Sequence, residues 1–249
     1  MPRLTLLEIV QDILNDLDGD PVNSLNDTVE AQQIAQIVKT TFNQIIDGKH
    51  WPHLYELFQF EALSVLNKPN YLKIPDNIVS MEWVKYNIRS STDTKNRFTE
   101  IVYKSPSEFL DLVDARDSSA SNIQLVQDFS GVTLGIINDK APQYYTSFDN
   151  EYILFDSFDS GVDSSITASK SSGYGRREAT FTISDTFVPD IPNQAFSFLL
   201  SEAKAMSFGI MKQAPNVKVE QVAKTQRYRM SQDAWKVTKG VKYPDYGRR

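Results

Sequence analysis

The stretch TVEAQQIAQIVKTTFNQIID, residues 28–47, is the strongest structural signal in this chain, and GKHWP follows it at residues 48–52. Its apolar residues recur at intervals of three, four and seven, which places them on one face of a helix. The other face is polar, so the helix is amphipathic, and we expect Trp51 to anchor its end in the core. The predicted apolar stripe consists of Val29, Ile34, Ile37, Val38, Phe42, Ile45 and Ile46.

Further helices are predicted on both sides of this stretch. Thr5 and Glu8 have the spacing of a capping box, which predicts a helix that starts after Thr5 and ends at the turn over residues 18–21. Its apolar stripe is Leu6, Ile9, Val10, Ile13, Leu14 and Leu17. Near the C-terminus, one helix is expected from Pro192, with the stripe listed below, and a polar, basic one over residues 217–237, with a weaker stripe of Val219, Val222, Ala223, Met230 and Ala234. The stripe of the former is Phe196, Leu199, Leu200, Ala203, Met206 and Ile210.

Between the helices the apolar period changes from that of a helix to that of a strand. Short alternating segments separated by turn residues predict a β-rich middle. The polar section over residues 159–177 is expected to be a loop or a hairpin with a wide turn. The predicted strands cover residues 79–88, 98–103, 131–138, 143–146, 152–155 and 179–183.

These elements predict an α+β fold, a helical bundle built from the N- and C-terminal helices with an inserted β-rich region. Chain ends commonly lie near each other in a domain, which favours one bundle. The expected boundaries are residues 1–56 for the first helix pair, 57–188 for the β-rich insertion, 189–238 for the last helices and 239–249 for an extended tail.

Composition restricts the classes of function. The chain has 249 residues and no cysteine, which excludes disulfides, thiolate metal sites and a cysteine nucleophile. No apolar run approaches the roughly 20 residues of a membrane span, and no secretory pattern opens the chain. No nucleophile motif or cofactor fingerprint is present, so we expect neither enzymatic activity nor a cofactor.

Charge is distributed unevenly along the chain. Residues 202–249 hold eleven Lys and Arg against four Asp and Glu, whereas residues 105–163 hold two basic residues against eleven acidic ones. A basic end favours an acidic protein or a nucleic acid as partner, although a solvated helix face has the same composition.

Two groups of residues have the wrong pattern for a metal site. His50 and His53 are three residues apart, but no cysteine or third histidine completes a zinc site, so a connecting turn is favoured. The acidic residues from Asp16 to Asp20 suggest a calcium loop. That pattern fails because Pro21 and Asp27 occupy the positions where it needs Gly and Glu.

The segment over residues 172–177, SGYGRR, is glycine-rich and basic. It lacks both the Walker pattern and the dinucleotide fingerprint, so a hairpin turn is favoured over a phosphate loop. Arg176 and Arg177 in such a turn are candidate contacts to DNA.

The order of several short motifs resembles the head-to-tail adaptor family of short-tailed bacteriophages, also called tail tubular protein A or gatekeeper proteins. The resemblance covers nearly the whole chain but rests on degenerate motifs. The segments that carry it are residues 20–25 (DPVNSL), 30–33 (EAQQ), His50-Trp51, 71–76 (YLKIPD), 144–156 and 187–204.

The resemblance implies a structural virion protein of the neck, assembled in the host cytoplasm. Its expected partners are the portal protein, the tail nozzle protein, further copies in a twelve-membered ring, and genomic DNA passing through the channel. The C-terminal segment is expected to bind the portal, because aromatic residues and Arg are frequent hot spots of interfaces. The predicted portal-binding residues are Trp235, Lys239, Lys242, Tyr243, Tyr246, Arg248 and Arg249. The alternative is a nucleic-acid-binding module that uses the basic C-terminal region.

Overall fold

The structure, a computed structural model, describes residues 3–48, 50–63, 67–89, 94–212 and 217–232, with the side chains of Gln194 and of residues 226–232 left out. The chain divides into two units. The helical unit comprises the described residues up to 53 and those from 179 onward, and the sheet unit comprises residues 54–178. The sequence analysis placed the corresponding boundaries at 56/57 and 188/189.

Local capping determines where the first helices begin. Helix α1 spans Leu6–Asp16, and the predicted capping box is confirmed, because Thr5 accepts from the Glu8 amide while the Glu8 side chain accepts from the Thr5 amide. Helix α2 spans Val29–Asp47, with the Thr28 side chain accepting from the Ala31 amide at 3.1 Å. These caps satisfy amides that have no partner within the helix.

The helical unit buries the predicted stripes of α1 and most of that of α2. Helix α4 spans Asn193–Met211 and contacts both α1 and α2. Helix α5 spans Val217–Gln232 and packs mainly on α4. The fully buried side chains include Leu6, Ile9, Ile13, Ile34, Val38, Phe42, Phe196 and Leu199.

The described residues of the sheet unit form ten strands, one α-helix and a short 3-10 helix over Ala168–Lys170. Helix α3 begins after the N-cap Ser105 and spans Pro106–Asp114. The strands are β1 Tyr55–Phe58, β2 Glu61–Ala62, β3 Tyr71–Lys73, β4 Ile78–Asn87, β5 Phe98–Tyr103, β6 Ile123–Gln127, β7 Thr133–Ile137, β8 Tyr144–Thr146, β9 Tyr152–Phe155 and β10 Ser171–Arg177.

Eight strands make one mixed sheet in the order β1-β10-β4-β5-β8-β9-β3-β2. Only the β5–β8 pair is parallel. The two edge strands, β1 and β2, are consecutive in the chain, and only Gln59 and Phe60 separate them. Three residue steps span at most about 11 Å, so the sheet must curl until its edges lie close together. Strands β6 and β7 form a separate hairpin, against which α3 packs.

The predicted fold, a helical bundle of terminal helices with an inserted β-rich region, is wrong. The curled eight-stranded sheet is the dominant element, α3 belongs to the sheet unit, and the remaining helices do not close into a bundle, since α5 packs mainly on α4. An apolar stripe identifies the buried face of a helix but not the element that covers it. The sequence pattern therefore overestimated the role of the helices.

Strand predictions differ in outcome. Those over residues 98–103 and 152–155 are confirmed by β5 and β9. The prediction of a strand over 179–183 is wrong, because those residues have no regular structure, and the predicted loop over 159–177 instead ends in β10. Glycines in β10 hid its strand character, since glycine is depleted in strands.

Three residues assigned to apolar stripes are exposed. Val29 is 70% exposed at the first position of α2, and Ile210 and Val222 are exposed on α4 and α5. Helical spacing alone does not reveal that the last turn of α4 extends past its neighbours. These two side chains on α4 and α5 become relevant to assembly below.

Candidate functional site

The described part of the sheet unit contains a cleft of about 420 Å³. It lies where the turn between β6 and β7 meets the turn between β8 and β9, with Leu110 of α3 on one side. We call it the acidic cleft and define it by Tyr71, Asp128, Phe129, Val132, Phe148, Asp149 and Tyr152.

Aromatic rings form the wall of the acidic cleft. The centroid of the Phe129 ring lies 4.6 Å from that of Tyr152 and 5.6 Å from that of Tyr71, the latter in an edge-to-face arrangement. Phe129, Phe148 and Val132 are nevertheless about half exposed. Apolar side chains that converge yet remain in water are typical of a surface that another molecule covers.

Asp128 is held at the cleft by an organised set of donors. The Tyr71 hydroxyl donates to Oδ1 at 2.7 Å, and the Ser130 amide and hydroxyl donate to Oδ2 at 3.0 and 2.8 Å. Partial burial raises the pKa of Asp128, but the hydrogen bonds from Tyr71 and Ser130 outweigh burial and leave that pKa lowered. Asp128 is therefore a carboxylate at neutral pH.

Burial and the Asp128 carboxylate both raise the pKa of the Tyr71 hydroxyl, whereas the pKa of Asp128 itself is lowered. Desolvation is the larger cause and the hydrogen bond to Asp128 the second, and both raise the pKa of the Tyr71 hydroxyl. The hydroxyl therefore stays protonated and donates. This pair is suited to fixing the cleft wall and not to transferring a proton at neutral pH.

Asp149 supplies a second carboxylate to the lining of the cleft. Its Oδ1 accepts from the amides of Glu151 and Tyr152 at 2.9 and 3.0 Å, which shapes the turn before β9. Asn150 within this turn has a positive φ of 61°, a conformation that Asn tolerates better than most residues. Asp149 itself is exposed, so its charge faces solvent at the cleft mouth.

The cleft wall already holds one cation from the same chain. Lys68 Nζ lies 4.2 Å from the centroid of the Phe129 ring and 5.2 Å from that of Tyr71, and it also donates to the carbonyl of Gln127. Aromatic faces attract ammonium groups through their quadrupole. The cleft is thus chemically suited to amino groups attached to apolar stems.

A buried ion pair fixes the hairpin that carries one side of the cleft. Arg116, just after α3, donates to the carbonyls of Gly135 on β7 and of Asp156, and to the Asp156 carboxylate at 3.2 Å. Asp156 Oδ1 accepts from the amides of Gln143 and Tyr144. Burial lowers the pKa of the Arg116 guanidinium, and Asp156 partly offsets this. One network therefore ties α3, β7 and β8 together.

The structure places Arg176 and Arg177 inside β10, not in an exposed turn, so the predicted hairpin turn is wrong. The Arg177 Nε lies 3.8 Å from a carboxylate oxygen of Glu56 on β1. Gly173 and Gly175 allow this central strand to form, because a Cβ at Gly175 would lie 2.2 Å from the Ser80 carbonyl oxygen and one at Gly173 would meet the Phe58 ring.

Trp51 is buried in the helical unit, and its indole Nε1 donates to the Ile45 carbonyl at 3.0 Å. His53 Nε2 lies 2.9 Å from the carbonyl oxygen of Asp190. Among the described residues, no three His, Asp or Glu side chains are grouped so that they could hold a metal ion. The predicted portal-binding residues, Trp235 through Arg249, lie outside the described residues.

Sequence reasoning did not single out the acidic cleft. Tyr71, Asp128, Phe129, Phe148 and Asp149 belong to no catalytic, metal-binding or nucleotide-binding motif. One signal was available, since Phe129 stands in the turn sequence DFSG over residues 128–131, where an aromatic residue is unusual.

Comparison with protein-family models and with curated protein sequences found no match for this chain. Within the part of the chain that the structure describes, no helix is long and apolar enough to cross a membrane.

Proposed function

We propose that this protein is a structural virion protein, a head-to-tail adaptor that forms a ring beneath the portal and links it to the tail nozzle. The observation that carries the proposal is the presence of two exposed apolar surfaces of different charge on one chain. One is the acidic cleft, and the other is formed by Ile210, Val217 and Val222 with neighbouring lysines on α4 and α5.

Two different surfaces are what a ring of identical subunits requires. A head-to-tail contact joins unlike faces of neighbouring copies, and it closes into a ring when the rotation permits. The exposed apolar side chains on both surfaces remain in contact with water in the isolated chain, and burial in a subunit interface would remove that area from water. An assembly role explains these surfaces without invoking turnover or a cofactor.

The motifs of the family resemblance support the same proposal. Residues 30–33 lie on α2, residues 71–76 cover β3 and the turn after it, and residues 144–156 run from β8 through β9. These segments belong to both units, so the resemblance does not rest on one local element. The portal-binding role of the segment from Trp235 to Arg249 is part of this proposal.

The acidic balance of the sheet unit is compatible with a DNA channel. Residues 54–178 hold eighteen acidic and twelve basic residues. Carboxylates release no condensed counterions from DNA, so an acidic lumen lets phosphates pass without tight binding. We propose transient contact with genomic DNA and no sequence-specific recognition.

The experiment that tests the proposal is electron microscopy of the full chain mixed with its portal protein. We expect rings attached to one face of the portal. A truncation before Trp235 should leave the far-ultraviolet circular dichroism unchanged and weaken attachment at least tenfold. A full chain that never attaches to the portal contradicts the adaptor role. A truncated chain that attaches as well as the full one contradicts the role of the tail.

A further inference from the structure

We propose that the acidic cleft of one copy binds the basic apolar surface that α4 and α5 present on a second copy. This inference names the contact between subunits, and it rests on the proposed function only in assuming that copies assemble. We define the α4–α5 surface by Ile210, Lys212, Val217, Lys218, Val222 and Lys224.

The α4–α5 surface follows from helical geometry. On α5, Val217, Lys218, Val222 and Lys224 are exposed, while Ala223 is buried. At 100° per residue the exposed positions fall on one arc and Ala223 points away from it. Ile210 adds an exposed apolar side chain near the end of α4. The result is an exposed arc of α5 on which Val217 and Val222 alternate with Lys218 and Lys224.

Chemical complementarity connects the α4–α5 surface with the acidic cleft. The cleft offers half-exposed Phe129, Val132 and Phe148 together with the carboxylates of Asp128 and Asp149. The α4–α5 surface offers exposed aliphatic side chains interspersed with lysines. Apolar contact at the centre with opposite charges around it is the usual anatomy of a specific interface.

Charge on a larger scale favours the same pairing. Residues 105–163, which build α3 and most of the cleft, hold eleven acidic and two basic residues, and Arg116 is already paired with Asp156 inside the unit. Residues 202–232, which include most of α4 and all of α5, hold six basic and two acidic residues. Opposite net charges steer the two faces of different copies together.

The position of Lys68 is a second, independent observation. Its ammonium group sits over Phe129 and beside Tyr71, so the cleft already accommodates a lysine in this chain. Asp149 also lines the cleft and is exposed, so its carboxylate is accessible to a second lysine, from another copy. We therefore infer that Asp149 receives the lysines of α5.

A contact between two unlike faces has a consequence that a symmetric dimer lacks. Each copy retains one unused face after pairing, so assembly continues until a ring closes. Disabling either face on every copy weakens every contact of the assembly. A copy with a disabled cleft and a copy with a disabled α4–α5 surface can still form one contact with each other. That contact joins the intact α4–α5 surface of the first copy to the intact cleft of the second. The two faces that remain are both disabled, so the pair cannot grow.

The test compares two double variants by sedimentation equilibrium over a range of protein concentrations. The cleft variant carries Phe129→Ser and Val132→Ser, and the helix variant carries Ile210→Ser and Val222→Ser. All four side chains are about half exposed or more, so the fold should persist. Leu57→Ser with Val79→Ser, two exposed apolar residues of the sheet unit outside the cleft, is the matched control.

We expect the wild-type chain and the control to associate beyond a dimer and each variant alone to associate about 100-fold more weakly. An equimolar mixture of the two variants should form a 1:1 dimer and nothing larger. Raised salt should weaken wild-type association, because the flanking charges are screened.

Chemical cross-linking detects the same contact when it is weak. The chain has no cysteine, so Val132→Cys and Val222→Cys each introduce a single thiol. A short bis-maleimide should join the two variants to each other in a mixture and should join neither variant to itself. Circular dichroism of every variant verifies that the fold is retained.

The inference is overturned if the wild-type chain stays monomeric and the cysteine variants do not cross-link. It is equally overturned if the two double variants mixed together form no dimer. It is also overturned if either double variant alone associates as the wild type does, because the contact would then be symmetric or involve another partner. Binding to the portal is a separate measurement. A chain that forms this contact but does not attach to a portal would refute the proposed function and leave the inference standing.

Discussion

Two charged networks, one in each unit, show how differently the units are held together. In the sheet unit, Arg116 and Asp156 have side chains that are only 12% and 6% exposed. In the helical unit, Lys204 of α4 is 17% exposed and reaches Asp12 and Asp16 of α1, each 42% exposed, at 2.8 and 2.7 Å. The first network is buried in the core of its unit, and the second lies at the rim of a helix contact.

The difference reflects how each unit obtains its order. Helices α1, α2 and α4 satisfy their own backbone groups and need each other mainly for apolar burial. The strands of the sheet unit pair across long stretches of sequence, as β1 does with β10, and several of its loops must be fixed individually. Arg116 alone joins β7, through the carbonyl of Gly135, to Asp156 just after β9, so the sheet unit should depend far more than the helical unit on a single polar side chain.

The tryptophans allow each unit to be followed separately. Trp51 lies in the helical unit and Trp83 on β4 of the sheet unit. A chain with Trp83→Phe and Trp235→Phe reports on the helical unit, and one with Trp51→Phe and Trp235→Phe reports on the sheet unit. Urea unfolding followed by fluorescence then yields a free energy of unfolding for each unit.

The largest effect is expected from Arg116→Met. The substitution leaves the Asp156 carboxylate buried without its partner, and breaking a buried pair in this way costs about 3–5 kcal/mol. The transition reported by Trp83 should move to lower urea concentration. Arg116→Lys should restore little of the loss, because an ammonium group cannot make the same forked contacts. A loss below 1 kcal/mol would contradict the central role of this network.

Gly175→Ala should have the next largest effect. Its Cβ would lie 2.2 Å from the Ser80 carbonyl oxygen, so β10 and β4 must move apart. Overpacking of this kind costs about 2–3 kcal/mol, and we expect the Trp83 transition to report it. Gly131→Ala is the comparison at a strained turn, where φ is +92° but no atom lies closer than 3.9 Å. A Gly175→Ala chain as stable as the wild type would show that the sheet tolerates a wider gap.

Lys204→Met tests the exposed network. Because Asp12 and Asp16 keep much of their hydration, we expect a loss of only about 1–2 kcal/mol, reported by Trp51. Partial burial lowers the pKa of Lys204, but hydrogen bonds to Asp12 and Asp16 and their charges outweigh burial and leave it raised. The stabilisation should therefore be complete below pH of about 10 and should disappear as the pH rises through the raised pKa. The difference in stability between the wild type and Lys204→Met should therefore shrink as the pH rises through that pKa, and a difference that stays constant at alkaline pH would contradict this assignment.

The smallest effects should be equal in the two units. Thr28→Ala removes the N-cap of α2 and Ser105→Ala removes that of α3, and each should cost about 1 kcal/mol. The first should move the Trp51 transition and the second the Trp83 transition. If both substitutions move both transitions, the two units unfold together and the comparison between them fails.

The sequence predicted the elements that depend on neighbouring residues. The capping box of α1, the start of α2 and the bounds of β5 and β9 all follow from contacts within a few positions. Predictions failed where the exposure of a side chain depends on the elements that pack around it. Val222 and Ile210 belong to apolar stripes by spacing, yet they are exposed because no element of the chain covers them in the described structure.

The candidate site was less predictable than the elements around it. Tyr71, Asp128 and Phe148 come from three separate segments, and their approach requires the pairing of β3 with β9 and of β6 with β7. No spacing rule relates residues 57 positions apart in the chain, such as Tyr71 and Asp128. The cleft could therefore be found only after the sheet was known.

The sequence by itself determined where the helices begin, which residues of α1 are buried, the absence of cysteine chemistry and the opposition between an acidic middle and a basic C-terminal part. These properties depend on local hydrogen bonds, helical periodicity and composition. Only the tertiary structure decided that the sheet dominates, that Arg176 and Arg177 lie in a strand, and that Phe129 forms a cleft with Asp149. Such outcomes depend on pairings between distant strands, whose free energy no short stretch of sequence contains.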